Sequence, residues 1–167
     1  ERLFLGGEYS IRGFDIRSIG PRDKDTQLVL GGNKSLLVNA EYLITIAGPV
    51  RLVLFADAGQ VRNLGESFAW KEDIVEIVPP APPLLFDPFA TTSLRELGVS
   101  AGNTQRVIGE TTAWKASTGA EIRFFMPVLN VPFRLIFAHN PNRTGVLDNQ
   151  FQPAKRFTFR FAVGTTF

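Results

Sequence analysis

The 167-residue sequence has no cysteine, one histidine and one methionine. Without cysteine there is no disulfide framework, thiolate nucleophile or Cys-bound metal. With His139 as the single imidazole, a multi-histidine metal site and most His-assisted nucleophilic mechanisms have little to build on. No enzyme and no cofactor are expected. An excess of one charge sign is also missing, since 18 Lys and Arg stand against 16 Asp and Glu. The basic residues are scattered rather than clustered, so nucleic acid is not an expected partner. No apolar run reaches the roughly 20 residues of a membrane-spanning helix. That excludes a spanning helix and leaves a spanning strand open.

Phenylalanine, by contrast, is abundant: 15 residues in a chain that is 44% hydrophobic, which makes it an ordered chain of about one domain. Five segments alternate with a period of two, one face apolar and the other mixed or polar, as strands do. In Leu36 to Ile46 the apolar face is Leu36, Val38, Ala40, Tyr42, Ile44 and Ile46, opposite Asn39, Glu41 and Thr45. In Val50 to Val61 the even positions are apolar, while the odd ones carry Arg51, Val53, Phe55, Asp57 and Gly59. Trp114 to Met126 sets Trp114, Ala120, Ile122 and Phe124 against Lys115, Ser117, Gly119, Glu121 and Arg123. Val131 to His139 sets Phe133, Leu135 and Phe137 against Arg134, Ile136 and Ala138. Lys155 to Phe167 places Phe157, Phe159, Phe161, Val163 and Phe167 on one face and Thr158, Arg160, Ala162 and Gly164 on the other. Arg2 to Leu5 is a sixth candidate. Asp73 to Val78 and Leu97 to Ala101 lack the length and the apolar face of the others.

Two tight connections, Ala47-Gly48-Pro49 and Pro127 to Val131, alternate with two long ones, Asn63 to Ala113 and Asn140 to Ala154. Short turns at one end and long loops at the other fit an outer-membrane barrel, but a soluble sandwich also alternates strands and turns. Residue pattern alone does not separate them: in a sandwich the apolar face is core, and in a barrel it meets lipid. Runs of about nine to thirteen residues favour a tilted membrane crossing over globular strands of about five or six. A closed membrane barrel needs about eight strands or more. Five or six, with Glu1 falling inside an apparent strand end, therefore predict a part of a larger barrel with unpaired sheet edges prone to self-association.

The run Gly6-Gly7-Glu8-Tyr9-Ser10-Ile11-Arg12-Gly13-Phe14 resembles the Val-Arg-Gly-Phe/Tyr loop of the BamA-like outer-membrane assembly and secretion superfamily, with Ile11 in place of Val. Gly31-Gly32-Asn33 leading into the strand with Glu41, then Leu54-Phe55-Ala56-Asp57-Ala58-Gly59, then Thr118 to Arg123 before a Pro turn, resemble that family's later strands in the same order. The terminal Phe157 to Phe167 resembles its C-terminal aromatic signal. The resemblance covers nearly the whole chain. It implies an all-β, antiparallel transmembrane barrel fragment, the C-terminal part of a barrel of about 16 strands, with an Arg-Gly-Phe loop over about residues 6–33 and a long extracellular loop over about 63–113.

The resemblance further implies a lumenal lock: Arg12, Gly13 and Phe14 fold back into the barrel, and Arg12 meets Asp57, with Glu41 nearby. Alternation independently puts Glu41 and Asp57 on the polar face, and Gly59 leaves room there for an approaching loop. On this reading, exchanging Arg12 and Asp57 rescues the lock in part if the two touch. The implied C-terminal signal is Phe157, Phe159, Phe161, Gly164 and Phe167. Implied partners are the lipid bilayer, unfolded outer-membrane client proteins and accessory lipoproteins of an assembly complex, at the outer membrane of a Gram-negative-type bacterium. Two other functions stay open: a two-partner secretion pore exporting one exoprotein, and a soluble β-sandwich binding module. Arg22-Asp23-Lys24-Asp25 reads as a solvated turn, Pro79 to Pro83 as a stiff spacer in an exposed loop, and His139 as an interfacial or loop residue.

Overall fold

The computed structural model describes residues 1–23, 26–78, 104–126 and 131–163. Seven strands make two antiparallel sheets: β1 (Lys34–Ala47), β2 (Val50–Arg62), β3 (Lys71–Val78), β4 (Thr104–Thr112), β5 (Lys115–Met126), β6 (Val131–His139) and β7 (Phe157–Val163). The larger sheet runs β1-β2-β5-β6-β7, and β3 pairs with β4 alone. No helix occurs among the described residues.

All five long periodic segments are strands of the one sheet. Arg2 to Leu5 is not a strand; Leu3 and Leu5 make single bridges to Gly32 and Ile19. Asp73 to Val78, which lacks the length and apolar face expected of a strand, nevertheless lies within β3, where it pairs with β4. Neither needs an apolar stripe, since Lys71, Glu72, Asp73, Glu76, Arg106 and Glu110 make this a polar hairpin rising from the β2–β5 pair. At its base the Trp70 and Trp114 rings sit 6.0 Å apart, and Ala113 N–H donates to the Trp70 carbonyl at 3.0 Å. The Pro79 to Pro83 run, Leu97 to Ala101, Gly164 and Phe167 lie outside the described residues.

Register fixes which side chains share a face, because directly paired residues of an antiparallel ladder point the same way. One row contains Asn39, Asp57 and Ser117. The next contains Glu41, Phe55, Gly119, Ala138 and Thr158, and beyond it come Val53, Glu121, Ile136 and Arg160. A further row aligns Arg51, Arg123, Arg134 and Ala162. The opposite face carries the even-numbered apolar residues of β1, β2 and β5 and the odd-numbered ones of β6 and β7.

Burial is inverted relative to a water-soluble sheet. On the polar face Asp57 is 1% exposed and Glu121 is fully buried, whereas on the apolar face Tyr42 is 68% and Phe157 71% exposed. A continuous exposed apolar face of this kind costs a soluble domain its solubility, and it is the surface that lipid covers on a membrane barrel. What buries the polar face is the N-terminal segment, folded over it. Leu5, Ile11, Phe14 and Ile19 form a small core there with Val61 of β2 and with Val146 and Ala154 of the last long connection.

Candidate functional site

The site is where that segment meets the sheet. Ile11 and Phe14 are buried in the small core, and a turn closed by Phe14 N–H donating to the Ile11 carbonyl at 3.2 Å leaves Arg12 between them, aimed at the wall. Two glycines let the backbones approach. A Cβ on Gly59 would lie 2.7 Å from Leu5 Cδ1 and 2.8 Å from the Leu36 carbonyl oxygen. A Cβ on Gly13 would lie 1.6 Å from Asn140 Oδ1 and 2.5 Å from Ser117 Oγ, both in fully buried residues. Gly13→Ala should therefore hold the loop off the wall at a cost of about 1–3 kcal/mol. Protease cleavage within residues 6–33 of the full-length protein, at least tenfold faster than wild type, is the expected readout.

Arg12 is 4% exposed and meets three carboxylates from three strands. Its backbone N–H donates to Asp57 Oδ2 at 3.2 Å and its Nη2 to Asp57 Oδ1 at 3.2 Å. Nη1 donates to Glu121 Oε2 at 2.9 Å, and Nη2 also donates to Glu41. The guanidinium lies over the Phe55 ring, 4.3 Å from its centroid, a cation–π contact that covers its remaining face. Asn39 Nδ2 bridges loop and wall, donating to the Ser10 carbonyl and to Asp57 Oδ1, each at 2.7 Å.

Sequence reasoning placed Arg12 with Asp57 and Glu41 and missed Glu121, Arg123 and Arg134. Arg123 Nε donates to Glu121 Oε1 at 2.7 Å and its Nη2 to Glu41 Oε1 at 3.0 Å. Arg134 Nη2 donates to Glu121 Oε2 at 3.2 Å, and its guanidinium lies 5.8 Å from the Tyr9 ring centroid. Three arginines thus balance three carboxylates in one cluster, buried at Arg12, Asp57, Glu121 and Arg134 and open to the lumen at Glu41, with Glu121 bonded to all three arginines. The signal was present: once Lys115 to Arg123 is assigned to the lumenal face, its charged members must find partners there, because unpaired buried charge is costly.

Phe14, 1% exposed, anchors the loop in the small core. Phe157, Phe159 and Phe161 lie on the outer face, opposite the lock, each against a ring of the neighbouring strand: Phe161 stacked on Phe133 at 5.9 Å, Phe159 tilted against Phe137 at 5.0 Å and Phe157 tilted against His139 at 4.8 Å. His139 is thus part of the outer apolar face. Arg22 corrects the expectation of a solvated turn. It donates to the carbonyls of Ser18, Gln27 and Leu147 at 2.9 to 3.1 Å, tying the loop to the last long connection, and burial pulls its guanidinium below the ordinary value. Among the described residues no group of three or more His, Asp or Glu side chains is arranged to hold a metal ion.

Comparison with known proteins agrees with this architecture. The outer membrane protein assembly factor BamA of Nitratidesulfovibrio vulgaris is 34% identical over 80 residues, covering 47% of this chain and 10% of that protein. The outer membrane protein assembly factor BamA of Neisseria meningitidis serogroup B is 41% identical over 69 residues, covering 36% of this chain and 9% of that protein. The matched stretches are thus about a tenth of the length of these curated relatives. The Omp85 superfamily domain matches over residues 1–167. With the folded-back Arg12 loop, the lipid-type outer face and a family match along its full length, the chain belongs to the Omp85 superfamily.

Proposed function

We propose that this chain is part of the barrel wall of an outer-membrane assembly factor that folds and inserts β-barrel proteins, without catalytic chemistry of its own. The observation that carries the reading is the docked loop, a charged segment held inside a wall whose outer face suits lipid. Such a lock fixes one face of the wall while leaving strand edges available. An edge strand offers unpaired backbone N–H and C=O groups on which an incoming strand can form, and a locally thinned bilayer lowers the barrier to its insertion. Unfolded outer-membrane proteins are the expected clients, with the bilayer and accessory lipoproteins as the remaining partners. The relatives named as assembly factors support this task over export of a single exoprotein. The inverted burial speaks against a soluble β-sandwich.

The full-length protein in lipid vesicles should speed folding and insertion of an unfolded barrel client at least tenfold over empty vesicles. Arg12→Lys, which keeps the charge but loses the planar fork, should slow that acceleration severalfold. No acceleration by the wild-type protein would overturn the assembly reading; passage of an exoprotein into the vesicle lumen instead would identify a secretion pore.

A further inference from the structure

The loop makes a second set of contacts, separate from the arginine–carboxylate cluster and directed at the last strand. Among the described residues β7 is the edge of the large sheet and pairs only with β6, through seven register pairs against thirteen between β1 and β2. Its lumenal side chains reach the loop. Thr158 Oγ1 donates to the Gly13 carbonyl at 3.0 Å, and Arg160 Nη2 donates to Asp15 Oδ1 at 2.5 Å. Asn140, just past β6, donates to the same Gly13 carbonyl at 2.8 Å and to the Lys155 carbonyl at 2.9 Å. The other Asp15 oxygen accepts the Asn149 N–H at 3.2 Å, which fixes the carboxylate toward Arg160.

We propose that the loop is a clamp on β7: Asp15 and the Gly13 carbonyl hold Arg160 and Thr158 from the lumenal side, so that undocking the loop loosens β7 while the rest of the sheet stays paired. Arg12 to Asp15 span only four residues, with Arg12 bonded to β1, β2 and β5 and Gly13 and Asp15 bonded to β7. The short turn around Gly13 therefore transmits the state of the buried cluster, held by β1, β2 and β5, to β7 two strands farther on. Asp15 and Thr158 are positioning residues in this scheme. The bearing of the clamp on clients rests on the assembly reading, because a loosened edge strand is the one an incoming strand would meet.

Amide hydrogen exchange on the full-length protein in detergent tests the clamp without any client, so its outcome is independent of the assembly reading. Asp15→Asn and Thr158→Val should each raise exchange of the Phe157–Val163 amides about tenfold, as loss of a hydrogen bond involving a charged or buried group does, while β1 and β2 stay at wild-type rates. Arg12→Ala should speed exchange in the loop and in β7 together. The exchanged pair Asp15→Arg with Arg160→Asp should return β7 to within about threefold of wild type. Unchanged β7 exchange in both single variants would overturn the clamp. So would equal acceleration in β1 and β2, or a freed loop above a β7 that remains protected.

Discussion

Arg12→Ala should release the loop from the wall and lower the stability of the full-length barrel by about 3–5 kcal/mol, the cost of removing one member of a buried charge cluster. The loss falls unevenly. Glu41 retains Arg123, and Glu121 retains Arg123 and Arg134. Among the described residues Asp57, 1% exposed, retains only Asn39 and the position-12 backbone N–H, so it is the group left without a countercharge. The variant should lose its folded form at a lower temperature and, on the assembly function proposed above, assemble clients at less than a tenth of the wild-type rate. Exchanging Arg12 and Asp57 is no longer expected to rescue. The exchange keeps the net charge, but an aspartate at position 12 would sit between Glu41 and Glu121 and put like charges at the centre of the cluster.

Glu121→Ala should be the next most damaging change, again about 3–5 kcal/mol, but by the opposite electrostatic route. Arg12 keeps Asp57 and Glu41, and Arg123 keeps Glu41. Among the described residues Arg134, 7% exposed, has its carboxylate bonds only to Glu121. Beside it in register stands Arg123, so two guanidiniums would face each other without the anion between them. Glu121→Gln, which keeps the acceptor oxygen, should recover part of the loss. A double variant Glu121→Ala with Arg134→Leu should recover more, since it removes the stranded cation. Urea unfolding midpoints of the full-length protein rank these variants; equal midpoints for all of them would show that the cluster contributes nothing measurable to stability.

Much of this was readable from period-two alternation. Leu36 to Ile46, Val50 to Val61 and Val131 to His139 declared their strands and faces because one face of each must be uniformly apolar to meet lipid. The same reasoning put Glu41 and Asp57 on one side. It failed for β3 and β4, whose faces are both polar or mixed and which stand outside any apolar environment that would impose a stripe. It failed also for Glu121, Arg123 and Arg134, for a different reason. Those residues stood on a correctly assigned face, but partnership among them depends on register, and the offsets that place Glu121 beside Val53 and Arg123 beside Arg134 are set by turn geometry and pairing. The Asp15–Arg160 pair spans 145 residues, and nothing local to either one marks the other.

The ladder between β2 and β5 has a further consequence. It runs from Val50 paired with Phe124 to Gly59 paired with Lys115, ten residues on each strand, and the Trp70–Trp114 pair closes it at one end. At about 3.4 Å per residue that is about 31 Å of strand, or about 23 Å of height once tilted by about 40°. The wall thus works as a ruler. It matches a hydrophobic layer close to the ~25 Å band of outer-membrane barrels, and vesicles of much longer acyl chains should have to thin beside it or leave the tryptophan pair submerged.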